Sequence, residues 1–354
     1  MVTGNDSNRP TDEVGVALIG AGYWGVNYAR VLNEIPGATL VSVVDSSEER
    51  LREVARRFPR IRSEGAVDRV LADRSVHAVV IATPTITHYE IASRALSAGK
   101  HVLVEKPMTT RLDDAINLTE IASKADRTLM VGHTFVYNQG IMAMKRMIDE
   151  GKVGRIYYLQ STRTHLGLIR QDVDALWDLA PHDIAIFNLF LNSTPEWVSA
   201  ISGRYLRDDR ADVAFVTLGY PKGTLANIHI SWIDSNKVRQ VTVVVSHQRI
   251  VFDDLNAMEP VRIFETGASM AADLNSFGEF KLSLRDGAII SPKIPVAEPL
   301  RTLCQDFVRC IRSGEPPIAD AESGAEVVRV LEAIDRSLTL GGCRADVRTG
   351  AVRR

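Results

Sequence analysis

At 354 residues, 45% hydrophobic and 24% charged, the chain is long enough for more than one domain and can bury a sizeable core. Lys and Arg number 42 against 44 Asp and Glu, a formal net charge of −2, which excludes the basic surplus of a dedicated nucleic-acid binder. No apolar run reaches the roughly 20 residues of a membrane-spanning helix, and Cys304, Cys310 and Cys343 form neither a disulfide framework nor a zinc-type pairing. No metal ligand cluster stands out, so no metal is expected. Residues 1–12 are polar, with no basic-then-apolar leader, and are expected to be a flexible tail on a cytoplasmic protein.

Residues 13–134 read as one domain. Short β-branched runs at 14–19, 39–45, 77–82, 101–105 and 128–133 alternate with helical spacing at 26–33, 47–58, 86–98 and 112–125. Strands this apolar are buried on both faces, and the helices between them serve as crossovers, so the pattern predicts a doubly wound parallel α/β sheet. From 135 to 354 the pattern changes to an α+β domain. Strands are predicted at 155–163, 196–204, 211–218, 222–233, 238–246 and 248–253, then helices at 300–313 and 321–340. Ala226, Ile228, Ile230 and Trp232 alternate with more polar residues, the mark of a sheet with one apolar face. Short turns such as Tyr220-Pro221-Lys222-Gly223 favour antiparallel pairing.

Gly20-Ala21-Gly22-Tyr23-Trp24-Gly25 is a G-x-G-x-x-G between a strand and a helix, with Asp45 following a second strand about 20 residues on. In that context Gly20 permits the turn, Gly22 lets backbone approach a pyrophosphate, and Gly25 lets helix and strand pack closely. Tyr23, Trp24, Asp45 and Ser46 are placed at the same dinucleotide. Asp45 accepts from a ribose hydroxyl and repels a 2′-phosphate, which favours NAD over NADP, although Arg50 lies nearby.

Further along, Thr83, Pro84 and Thr85 follow the third of these strands and are expected to border the cofactor, because ligands sit at the carboxyl ends of such strands. His88, in the next helix, reads either as a cap or as a cofactor contact. Glu105-Lys106-Pro107 ends the fourth strand at the same edge, where an ammonium can stabilise a developing alkoxide.

With Asp178-Leu179-Ala180-Pro181-His182, these motifs make the chain resemble the Gfo/Idh/MocA oxidoreductases from residue 14 to about 340. The resemblance implies a Rossmann domain joined to a domain with an open, mostly antiparallel sheet, and nicotinamide-dependent hydride transfer at a sugar or polyol carbinol. It also implies that Lys106, Asp178 and His182 are catalytic, and that the open sheet is covered by another subunit in a dimer or tetramer. The run Asp172-Val173-Asp174-Ala175-Leu176-Trp177 replaces the glycine-rich stretch of many relatives, and Ala180 stands where they carry glycine, which points to a differently shaped substrate cleft.

The apolar run 184–191 predicts a buried helix, with Pro181 at its first position, His182 in its first turn and Asp178 just upstream. A histidine there is kept neutral by the helix dipole and can act as a base oriented by Asp178, or else it is a satisfied core histidine. Candidate substrate contacts are Tyr137, Asn138, Arg163, His165, Arg170, Gln171 and Trp177, together with His182; for Arg163 and Arg170 a solvated role is the alternative. Taken together, the sequence reads as an NAD-dependent sugar dehydrogenase or ketoreductase acting at C3 of a nucleotide-activated amino sugar. A free inositol or hexose dehydrogenase, an NAD-dependent glycosidase and a non-catalytic NAD(H) sensor are the alternatives.

Overall fold

The computed structural model describes residues 13–348, apart from 168, 171, 271–281 and 286, together with 352–353. The expected tail at 1–12 and the candidate Gln171 lie outside the described residues. The chain packs as two compact units, one holding residues up to Tyr137 with Ala297–Val328, the other Asn138–Val296 with residues from Arg329 on.

The first unit is a six-stranded parallel sheet of β1 (Val14–Ile19), β2 (Ala38–Val44), β3 (Arg62–Glu64), β4 (Ala78–Ile81), β5 (His101–Val104) and β6 (Leu129–Val131), in the order β3-β2-β1-β4-β5-β6. Every residue of β1, β4, β5 and β6 is buried, as strands covered on both faces require. The crossovers are α1 (Tyr23–Glu34), α2 (Glu48–Arg57), α3 (Val67–Ala72), α4 (His88–Ser97) and α5 (Leu112–Ala125). The strand order reverses between β1 and β4, so the ends of those strands form the topological switch point where such sheets bind ligands. The edge strand β3 and the short α3 have no counterpart in the sequence reading.

The second unit is built on a ten-stranded mixed sheet containing β7 (Ile156–Thr164), β8 (Trp197–Gly203), β9 (Val213–Gly219), β10 (Leu225–Ser231), β11 (Val238–Val245), β12 (Arg249–Asp253) and β13 (Val261–Phe264). A separate hairpin pairs β14 (Gly267–Met270) with β15 (Leu282–Arg285), and the short β16 (Ile289–Ile290), β17 (Arg344–Asp346) and β18 (Val352–Arg353) extend the edges of the large sheet. Its ladders are antiparallel except that of β7 and β10, which run parallel. The chain travels through a helix and two strands before β10 returns beside β7, and a crossover of that length permits the parallel direction. Helices α6 (Gln139–Asp149) and α7 (Ala175–Leu191) pack on one face of this sheet. Along β10, Ala226, Ile228 and Ile230 are buried while Leu225, Asn227 and His229 are not, the predicted alternation.

Helix α8 (Pro299–Ser313), expected with the second domain, belongs to the first unit. Glu298 at its start pairs with Arg30 on α1, and Val131 of β6 donates its N–H to the Ala319 carbonyl at 2.9 Å. The unit boundary falls inside the last helix, α9 (Ala321–Thr339). The single boundary at residue 134 is therefore replaced by a discontinuous division, because an apolar stripe on a late helix can pack on any surface the chain can reach. Among the described residues no helix is long and apolar enough to cross a membrane.

Candidate active site

In the first unit the turn between β1 and α1 shows why glycines recur. Gly20 adopts φ +97°, and a Cβ there would stand 2.6 Å from the Ala82 carbonyl oxygen. A Cβ on Gly25 would meet the Gly20 oxygen at 1.9 Å, so helix and turn can touch only through glycine. Around the Cβ direction of Gly22 nothing lies within 4 Å. No side chain caps the start of α1, so its first-turn amides and positive dipole end face that opening. Tyr23 is 78% exposed and Trp24 43%, flanking it. Past β2, Asp45 is 7% exposed; its Oδ2 accepts from Ala21 N–H at 2.7 Å and its Oδ1 from Ser47 N–H at 2.8 Å. Arg50 lies 3.6 Å from Oδ2, and Ser46 is exposed beside the carboxylate. An open cradle, an uncapped helix end and a carboxylate at the end of β2 fit the diphosphate and ribose of a dinucleotide.

Beyond β4, Thr83 is half-buried, Pro84 is exposed and Thr85 is buried. His88 is 1% exposed, with Nδ1 2.9 Å from the Pro107 carbonyl oxygen and Nε2 3.0 Å from that of Thr83. Both oxygens accept, so a protonated ring nitrogen can donate to either. His88 thus staples the loop after β4 to the loop after β5, and its ring nitrogens are committed to backbone instead of to a cofactor. Glu105 is anchored in the same way: Oε1 accepts from Tyr28 Oη at 2.7 Å, and Oε2 from the Lys106 N–H at 3.2 Å. Lys106 itself is only 6% exposed. His133, after β6, is buried with neither ring nitrogen hydrogen-bonded among the described residues. Burial, and then the Lys106 charge, push its pKa down to about 3, so it is a neutral neighbour of that ammonium.

Two expected substrate contacts are structural. Tyr137 is 2% exposed; its hydroxyl donates to Asp306 at 2.8 Å and accepts from Ala319 N–H at 3.3 Å, which fastens the α8 segment. Asn138 caps α6, its Oδ1 accepting from Gly140 N–H at 2.8 Å while Nδ2 reaches Asp254 at 3.4 Å.

In the second unit α7 begins at Ala175, well before the expected start at Pro181. The side chain of Asp174 accepts from Trp177 N–H at 2.9 Å and caps the helix, and Pro181 is carried inside it. Helix packing on β7, β9 and β10 offsets the N–H that proline cannot supply. Asp178 therefore lies in the first turn and His182 about two turns in, where the N-terminal dipole has faded. In place of an Asp178 upstream of the helix and a His182 in its first turn, both residues are helical and four apart, on one face of α7. His182 and Asp178 are each partly exposed.

Arginines hold both ends of this segment. Arg163 on β7 meets Asp183, next to His182, with Nε–Oδ2 at 3.0 Å and Nη2–Oδ1 at 2.9 Å; the pair is 4% and 0% exposed. Arg170 forks onto Asp172 at 2.9 and 2.6 Å and reaches Asp178 Oδ1 at 3.2 Å. Neither guanidinium is the solvated or substrate-directed group expected; burial favours carboxylate partners within the fold. The Trp177 indole N–H donates to Asp335 at 3.0 Å, so its polar edge also points into the unit. Of the substrate candidates, His165 stays near the pair: burial lowers its pKa, Arg239 adds to that, and Asp178 opposes it. Sequence reasoning missed Asp183, Asp174, Tyr28 and the neutral state of His133. Asp174, three residues before Trp177, carried a cap signal; Arg163 and Asp183 carried none, because their pairing is made by packing a helix on a strand.

Residues 14–133 match the oxidoreductase family with an NAD-binding Rossmann fold, and residues 141–251 match the GFO/IDH/MocA C-terminal domain. The chain belongs to the Gfo/Idh/MocA oxidoreductases. As a member it is an oxidoreductase of CH–OH groups with a nicotinamide-dinucleotide-binding domain. Among its relatives, UDP-N-acetylglucosamine 3-dehydrogenase of Acidithiobacillus ferrooxidans is 29% identical over 88% of this chain and 93% of its own length. Myo-inositol 2-dehydrogenase of Thermotoga maritima is 26% identical over 91% of this chain and 96% of its own. A solved structure of the Acidithiobacillus ferrooxidans enzyme has a TM-score of 0.79 and 26% identity over 93% of this chain and 98% of that one.

Proposed function

We propose that this Gfo/Idh/MocA protein is an NAD-dependent dehydrogenase, or in reverse a ketoreductase, of a sugar carbinol, acting at C3 of a nucleotide-activated amino sugar. The observation that carries the chemistry is the continuous helix α7, which puts Asp178 and His182 on one face. In the oxidative direction His182 takes the hydroxyl proton and Asp178 orients the ring and stabilises the imidazolium. Lys106 donates a hydrogen bond to the carbinol oxygen as negative charge develops on it. The nicotinamide, when bound, supplies the hydride acceptor. Gly20, Gly22, Gly25 and the start of α1 hold its diphosphate. Asp45 holds the ribose and disfavours a 2′-phosphate, hence NAD over NADP. Similarity to the UDP-N-acetylglucosamine 3-dehydrogenase supports the substrate position, whereas similarity to the inositol dehydrogenase supports a free polyol as the second reading.

The same reading has the chain work as a homo-oligomer, dimer or tetramer. One face of the large sheet leaves Tyr158, Ile201, Phe215 and Leu225 exposed in facing register positions, which supports coverage by another copy.

The test is to follow reduced nicotinamide with UDP- and dTDP-sugars, uronates, free hexoses and inositols, trapping the ketone formed. Turnover on nucleotide sugars is expected. Turnover on free inositols or hexoses alone replaces the substrate assignment, and NAD binding without turnover on any of them favours an NAD(H) sensor.

A further inference from the structure

The approach to α7 carries more charge than a base and its orienter require. Arg170 is tied by both faces of its fork to Asp172, and its remaining reach goes to Asp178 at 3.2 Å. The three side chains are 24%, 20% and 15% exposed, so water screens them only partly. Asp178 is thus paired with a guanidinium, and His182 lies one turn further along the same face of α7. A carboxylate that stabilises an imidazolium raises its basicity; a guanidinium on that carboxylate takes part of the effect away.

We infer that Arg170 is a positioning residue for the reaction: clamped by Asp172, it holds the Asp178 carboxylate in place and sets how much of its negative charge reaches His182. This rests on the base assignment above and adds to it an adjustable element outside the reacting groups. Burial acts to lower the pKa of Arg170, and Asp172 and Asp178 more than offset it, so the guanidinium stays charged throughout the working range. Other charges bear on the same place. Asp183 is bound by Arg163, His165 is influenced by Arg239 and Lys237 as well as by Asp178, and Asp174 is spent on the cap of α7. Arg170 reaches Asp178 directly, through the Nη1–Oδ1 hydrogen bond at 3.2 Å.

The clamp makes two predictions of opposite sign. Arg170→Gln removes the cation from Asp178, so the His182 pKa rises by about one pH unit. Asp172→Asn leaves the cation and removes the competing anion, so the His182 pKa falls, by about half a unit. Arg170→Lys keeps the charge and returns the value toward wild type. The pKa is read in the full chain by nuclear magnetic resonance titration of isotope-labelled imidazole rings, with the His182 signal among the eight histidines assigned by His182→Gln. Opposite shifts support the clamp; unmoved values, or shifts of one sign in both variants, overturn it. If Arg170→Gln does not fold, Asp172→Asn is read alone: a lowered His182 pKa supports the clamp, and an unmoved or raised value overturns it. The titration needs no substrate, so it fails independently of the base role, which stands or falls on turnover of His182→Ala.

Discussion

Replacing His182 with alanine removes the proposed proton acceptor at a position in the second unit. Turnover on the substrate found in the panel is expected to fall by at least about a hundredfold, with dinucleotide binding retained. Lys106→Ala is expected to show a comparable loss, since the 6% exposed ammonium has no replacement in water. Near-normal turnover in either variant removes that residue from its role. At Asp45 the two carboxylate oxygens already serve Ala21, Ser47 and Arg50. Asp45→Ala therefore removes the proposed ribose acceptor and releases a guanidinium at the same spot. NAD affinity should drop by roughly tenfold, while that for NADP holds or improves, as read by fluorescence titration with each dinucleotide. Equal losses for both would assign Asp45 to the loop alone.

Among the elements, α7 carries the proposed base and its orienter, and α9 holds it through the Trp177–Asp335 hydrogen bond. Burial, and next the nearby Asp174 and Glu332 charges, raise the Asp335 pKa to about 6, against the hydrogen bond from Trp177. A carboxyl whose folded pKa is raised favours the folded state when protonated. That contribution is complete below about pH 4 and is lost as pH climbs through 6. It amounts to about 2 kcal/mol, discounted for partial exposure. Asp335→Asn keeps an oxygen for the indole N–H and removes the titration. Its thermal midpoint is expected to exceed that of wild type more at pH 7.5 than at pH 5, measured by circular dichroism melting. An equal difference at both pH values would mean that Asp335 does not titrate in this range.

On the scale of the whole molecule, the exposed apolar residues of the large sheet set the expectation for assembly. Phe215 stacks on His229 at 4.5 Å between ring centroids, and Ile201 lies opposite Phe215, a semi-apolar surface of the kind that subunits cover. Light scattering at working concentration is expected to give the mass of a dimer or tetramer. Phe215→Glu with Ile201→Glu should then shift it toward 39.0 kDa, the mass of one chain. A monomer in the wild type would overturn the assembly.

The sequence by itself determined what depends on local chemistry. Buried parallel strands announced themselves by unbroken apolar runs, the glycine turn by its spacing, and β10 by its alternation, because each of these is imposed on neighbouring residues by backbone geometry. Glu105-Lys106-Pro107 and Asp178 with His182 are legible as motifs, although Pro181 carries a helix-start signal inside a helix that Asp174 caps. Only tertiary structure decided which side chains spend their hydrogen bonds on one another. Arg163 with Asp183, Arg170 with Asp178, Trp177 with Asp335 and Tyr137 with Asp306 are pairs whose spacings follow no secondary-structure period, and His88 was as compatible with a ligand as with two carbonyls. The transfer of α8 to the first unit was hidden for the same reason: an amphipathic helix shows that it must be covered, and the surface that covers it is chosen by the fold.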